Sequence, residues 1–156
     1  MKTRTRSLRM MEPRDVPALI RITRAQNRRD GTRYPFPEVF EMDGPRIGHL
    51  KPNIELALVT EVAGRVRQGH VWLRTIEQMD FGGGREDTEF AIMHMPAVFD
   101  VLKRRGYEDV HVFVPRRRLW DFETILEDQG LTRQDPRLAH FFTSLNAAES
   151  EALEHV

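Results

Sequence analysis

Cysteine is absent from this 156-residue chain, which removes disulfides, thiolate catalysis and any zinc site of the CxxC kind. Long apolar runs are missing too, since no stretch approaches the roughly 18 residues that a membrane span needs. Net charge of either sign is lacking: 24 Lys plus Arg stand against 24 Asp plus Glu. The molecule as a whole therefore has no bulk attraction for nucleic acid or for an anionic membrane. The basic start, Lys2, Arg4, Arg6 and Arg9, has no apolar stretch behind it and does not read as a secretory signal. A reduced, cytoplasmic setting is expected, with neither nucleic acid nor membrane as a partner. There is no Gly-x-Ser-x-Gly, no P-loop and no dinucleotide fingerprint, so hydrolase, NTPase and dehydrogenase readings lack support. The six histidines, at 49, 70, 94, 111, 140 and 155, form no HxH or HxxxH pair, and no metal is expected.

What remains is a globular composition. Hydrophobic residues at 40% and charged residues at 31% exclude a disordered chain, and the length suits one core that buries roughly 70% of the unfolded surface. Arginine supplies 21 of the 24 cations. Its planar fork suits phosphate and carboxylate, which favours an anionic ligand, although a biased base composition would enrich it equally.

Thr3 to Met11 reads as a first strand, and Glu12-Pro13-Arg14-Asp15 opens a helix that the polar Asn27–Gly31 stretch stops. Residues 31–53 are rich in Pro and Gly, with a short helix expected around Glu38 to Met42. Their aromatics either line a pocket or anchor the loop to the core. Ile54 to Val62 and Val66 to Met79 form an antiparallel hairpin about Ala63-Gly64-Arg65, with a bulge expected at Gly69. Phe81 to Asp87 is a glycine-rich connector. Thr88 to Arg105 then reads as one helix kinked at Pro96, with Asp87 as its N-cap; the competing parse makes Phe90 to Met95 a strand. Val110 to Val114 has the two-faced apolarity of a central strand in a parallel environment. Leu119 to Gln129 is helical, Leu138 to Leu145 forms a last strand, and residues 146–156 are an acidic tail outside a single domain of residues 1–145.

The element order, β-α-(α)-β-β-α-β-α-β, makes an α/β (α+β) mixed sheet flanked by helices. With Gly106 before VHVFV and the ILEDQGL ending of the following helix, the chain resembles the GNAT superfamily of acetyl-CoA-dependent N-acetyltransferases. The resemblance runs from the first strand to Leu145 and implies acetyl-CoA or another acyl-CoA as cosubstrate. It also implies transfer of the acyl group to a small-molecule or peptide amine; a homodimer is compatible with it.

That family cradles the coenzyme A pyrophosphate on an Arg/Gln-x-x-Gly-x-Gly/Ala loop at a helix start. Here the corresponding junction is Gly82-Gly83-Gly84-Arg85-Glu86-Asp87-Thr88, with different spacing and with carboxylates at 86, 87 and 89. Gly83, Gly84 and Arg85 are the candidate cofactor contacts, joined by Arg116, Arg117 and Arg118 at the exit of the VHVFV strand, where open sheets collect ligands. The same triplet also fits a solvated turn. The family's proton-donating Tyr falls on Leu126, and its helix-opening Asn falls near Leu119. Glu61, Glu77 and His111 are the candidate bases for an amine. Two readings stay open: an acyl-CoA-dependent N-acyltransferase, and a catalytically inactive GNAT-like binding or assembly module.

Overall fold

A computed structural model of the chain describes residues 5–75, 77–113, 126–128, 132–133 and 140–144. The chain divides into two compact units. The first holds residues up to Thr75 together with Met79–Thr88, and the second holds Ile76–Gln78 and the residues from Glu89 onward.

In the first unit, β1 (Arg6–Met10) leads through a 3-10 turn, Pro13–Asp15, into α1 (Val16–Asp30). Glu12 caps the turn reciprocally with Asp15, whose Oδ2 accepts the Glu12 N–H at 2.8 Å. Gly31 closes α1 at φ +67°, a left-handed conformation that glycine adopts without steric cost. β2 (Ile54–Val62) and β3 (Arg65–Leu73) follow, and β4 (Glu77–Gly82) lies beside β3, giving the order β1-β2-β3-β4. β1 and β3 both run antiparallel to β2, with Leu8 opposite Thr60 and Val59 opposite Gly69.

Both faces of the β2–β3 pair are buried. Ala57, Val59 and Val71 join Leu19, Phe40 and Phe81 in one core. The alternate positions Leu56, Leu58 and Trp72 are covered as well, and they carry three buried polar residues in phase with them, Thr60, Gln68 and His70. Gly69 makes no bulge; the register shifts lie between Ile54 and Leu56 and between Thr60 and Glu61. Its role is steric. A Cβ there would sit 2.9 Å from Leu19 Cδ2, so the glycine lets α1 seat its most buried side chain on the sheet.

Three expectations are corrected here. The long return strand is two strands, because Arg74 and Thr75 turn the chain, with the Arg74 N–H donated to the Asn53 carbonyl at 2.9 Å. Phe81 and Gly82 belong to β4 rather than to a connector. Glu38 to Met42 is not helical: Phe40 bridges to Leu50, and the Lys51 N–H reaches the Val39 carbonyl at 2.8 Å. The aromatics of this loop divide. Phe40 is in the core and Phe36 packs edge-on against Phe81 at 4.9 Å, whereas Tyr34 is exposed.

In the second unit, α3 (Met95–Arg104) follows the end of α2 (Arg85–Met93), and the strands β5 (Asp109–Phe113), β6 (Thr132–Arg133) and β7 (His140–Ser144) come after it. The single kinked helix is in fact two helices broken at His94. Pro96 has no N–H to give and would clash with the carbonyl four residues back, so it sits in the first turn of α3, where both defects are harmless. Helix formation also begins earlier than expected, at Arg85, which leaves Asp87 inside the first turn rather than at the cap. β5 runs parallel to the start of β4, through Glu77 opposite His111 and Gln78 opposite Val112, and antiparallel to β7. Val110 and Val112 are buried, as the strand's two-faced apolarity requires.

The sheet is thus mixed and carries helices, as the element order implied. Leu126–Asp128 are helical; the remainder of Leu119 to Gln129 and the tail 146–156 lie outside the described residues. Among the described residues no helix is long and apolar enough to cross a membrane.

Candidate functional site

The end of β4 and the start of α2 meet in the glycine triplet, and the geometry there is dictated by packing. Gly82 and Gly83 both have positive φ, +82° and +79°. A Cβ on Gly82 would lie 2.1 Å from Ile22 Cγ2, and one on Gly83 would lie 2.7 Å from Gln68 Cδ. Both glycines are therefore required by the protein's own side chains.

Two amides of this turn are committed internally. The Gly82 N–H donates to Gln26 Oε1, and the Gly84 N–H donates to Asp87 Oδ2, both at 2.9 Å. Asp87, at the third position of α2, is 1% exposed. Arg6 Nε donates to its Oδ1 at 3.0 Å, and Arg67 Nε stands 3.6 Å from its Oδ2. Burial pushes the Asp87 carboxyl up, but the Gly84 amide, the Arg6 hydrogen bond and the charges of Arg67 and Arg6 outweigh it and hold the group below the usual carboxylate range. Arg6 also grips Glu86 through Nη2 at 2.9 Å. Behind the turn, Gln68 Nε2 donates to the Gly82 carbonyl and to Thr88 Oγ1, both at 3.1 Å, while Gln68 Oε1 is buried without a partner.

This arrangement tests whether a pyrophosphate would fit. A pyrophosphate needs uncommitted donors. The Gly82 and Gly84 donors are spent, one on a carboxylate that two arginines hold, and the unsatisfied group is an acceptor. As they stand, these two amides are not open to a coenzyme A pyrophosphate.

The proposed bases fall in separate places. Glu61 on β2 accepts Arg9 Nε at 3.0 Å, and the same guanidinium clamps Asp15 through Nη1 at 2.8 Å and Nη2 at 2.9 Å. Asp15 is held below the usual carboxylate range chiefly by that Arg9 hydrogen bond. Glu77 and His111 are brought together as register partners in the parallel ladder, and His111 Nε2 lies 3.8 Å from Asp109 Oδ1. Gly83, Gly84 and Arg85 form the turn just described, whereas Arg116, Arg117 and Arg118 lie outside the described residues. Leu126, at the position of the family's tyrosine, is fully buried.

Sequence reasoning missed one constellation. His70 on β3 is buried, with Nε2 2.8 Å from Thr60 Oγ1 and Nδ1 2.7 Å from Asp80 Oδ1. A carboxylate only accepts, so Nδ1 carries the hydrogen that faces Asp80. The order Thr-His-Asp is that of a nucleophilic triad. Thr60 is nevertheless 0% exposed, so its hydroxyl meets no substrate; Asp80, with 24% of its side chain exposed, is the accessible end. The signal was the recurrence of Thr60, Gln68 and His70 at alternate positions of strands otherwise too apolar to face water. Among the described residues, no group of three or more His, Asp or Glu is placed to hold a metal.

Neither a protein-family model nor a curated protein matches this chain. Among solved structures it is similar to YhbS, a GNAT family N-acetyltransferase from Escherichia coli crystallised in complex with CoA. That likeness has a TM-score of 0.54 at 14% identity, and it covers 93% of this chain and 84% of the other. The fold is GNAT-like.

Proposed function

We propose that this chain is a GNAT-fold binding module whose anion-cradling turn is occupied by its own Asp87, and that it does not transfer acyl groups by the route usual for that fold. The observation that carries this reading is the Asp87 carboxylate on the Gly84 amide at 2.9 Å, secured by Arg6. An incoming pyrophosphate would have to displace a buried carboxylate from an amide and from two guanidinium groups. Leu126 adds to this reading, because an aliphatic side chain has no proton to give a leaving thiolate.

A second reading is an acyl-CoA-dependent N-acyltransferase acting on a small-molecule or peptide amine. The likeness to a protein crystallised with CoA favours it. In this reading the candidate proton acceptors are Glu61, Glu77, His111 and, from the geometry, Asp80, a partly exposed carboxylate backed by His70. Under either reading we propose a reducing cytoplasm as the setting, in keeping with the lack of cysteine.

Thermal unfolding with acetyl-CoA separates the two. The module reading expects no change in Tm at millimolar acetyl-CoA and no acetylation of an amine panel. A ligand at 100 times its Kd adds about 2.7 kcal/mol to stability. A clear rise in Tm would therefore overturn the module reading. Loss of that rise on replacing Arg116, Arg117 and Arg118 together by Ala would assign the triplet to the cosubstrate.

A further inference from the structure

We propose that the groove between the start of α1 and the β2–β3 turn binds a small molecule carrying two or more phosphoryl groups. Ile22 adjoins both this groove and Gly82, but the three arginines lie outside the Gly82–Gly84 turn, and the proposal does not depend on either reading above. Arg14 from the 3-10 turn, Arg21 from α1 and Arg65 from β3 line a cavity of about 440 Å³, with Ala18, Ile22 and Val66 as its apolar part. That volume lies within the range of small-molecule sites and leaves room for an organic group beside the phosphates.

The charge here is available. Arg21 and Arg65 are exposed and have no hydrogen bond or ion pair among the described residues, while Arg14 shares its guanidinium with the exposed Glu12. The one carboxylate in the lining, Asp15, is already spent on Arg9 and on the Glu12 N–H. Three arginines lining one concavity can present guanidinium forks to two or more phosphoryl groups, each of which accepts bidentate hydrogen bonds. The β2–β3 turn keeps this mouth open. Gly64 has nothing within 4 Å of a built Cβ, and Ala63 adopts φ +52°, where Asn, Asp or Gly is the usual residue. An Asp there would bring a competing carboxylate next to Arg65.

Isothermal titration of the full chain with inorganic pyrophosphate, at about 100 mM salt to screen loose attraction, tests the proposal. Saturable binding of one equivalent is expected, weakened at least tenfold by Arg21→Gln combined with Arg65→Gln. That double variant should keep its Tm, because neither side chain has a partner to lose. Arg24→Gln with Arg28→Gln, exposed arginines of the same helix outside the groove, should bind as the parent does. Absence of binding overturns the proposal, and so does an equal loss in the Arg24/Arg28 control. Single-stranded oligonucleotides that bind more tightly as they lengthen would also overturn it, since the surface would then be a polyanion track.

Discussion

Asp87 Oδ2 accepts the N–H of Gly84 at 2.9 Å, so the third residue of α2 closes the helix start that opens with the glycine triplet. The contact satisfies one of the amides a helix leaves unpaired at its start and sets a negative charge at the positive end of the helix. Two arginines from β1 and β3 share the same carboxylate, which ties three elements of the first unit to one group.

Asp87→Asn should therefore destabilise the protein by about 2 kcal/mol at neutral pH, the scale of a lost charged hydrogen bond. The pH dependence follows from the lowered carboxyls of Asp87 and Asp15. A depressed folded pKa contributes stability that is present above the unfolded value, about 4, and is lost as pH falls through the folded value. Urea unfolding between pH 7 and pH 3 should show a steep loss in the parent and a shallower one in the variant.

Arg9 bridges two carboxylates, one of them the buried Asp15. Arg9→Leu should cost about 3–5 kcal/mol, because it strands a buried charge rather than merely removing a contact. Adding Asp15→Asn should recover part of that loss at pH 7. A double variant no more stable than Arg9→Leu alone would show that the cost lies in packing.

Glycine substitutions should separate conformational strain from collision. Gly31→Ala meets open space and pays only for its left-handed backbone, about 1 kcal/mol. Gly82→Ala adds a 2.1 Å collision with Ile22 to the same strain and should cost about 3 kcal/mol or more. Chemical denaturation of both variants checks the ranking.

Thr60→Val removes the hydroxyl from His70 Nε2 without changing volume and should cost about 1–3 kcal/mol, the penalty of a buried polar group left unmet. Thr60→Ser should restore most of it. A Thr60→Val variant as stable as the parent, with the loss confined to Thr60→Ser, would place the effect in the β-branched packing instead.

Much of the fold was legible in the sequence because its signals are local. The apolar run Ile54 to Val62, the two-faced strand before Pro115 and the glycine closing α1 each announce themselves within a few residues. The breaks were harder to read. Arg74 and Thr75 carry no turn signature, so one long strand was expected where two stand, and Pro96 reads as a kink although it starts a helix. The site was less legible still. The committed amides of Gly82 and Gly84 depend on Gln26, Arg6 and Arg67, which lie far from them in sequence, and only the acidity of Glu86 and Asp87 hinted at the outcome. Thr60, His70 and Asp80 come from three strands and share a face only once register is known.

The close seat of Leu19 over Gly69 carries an implication for how this sequence can drift. Any side chain acquired at position 69 requires the fully buried Leu19 to shift. Tolerated change should arrive as a coupled pair, a bulkier residue on the strand with a shorter one on the helix. Homologues, once aligned, should show these two columns exchanging bulk in step.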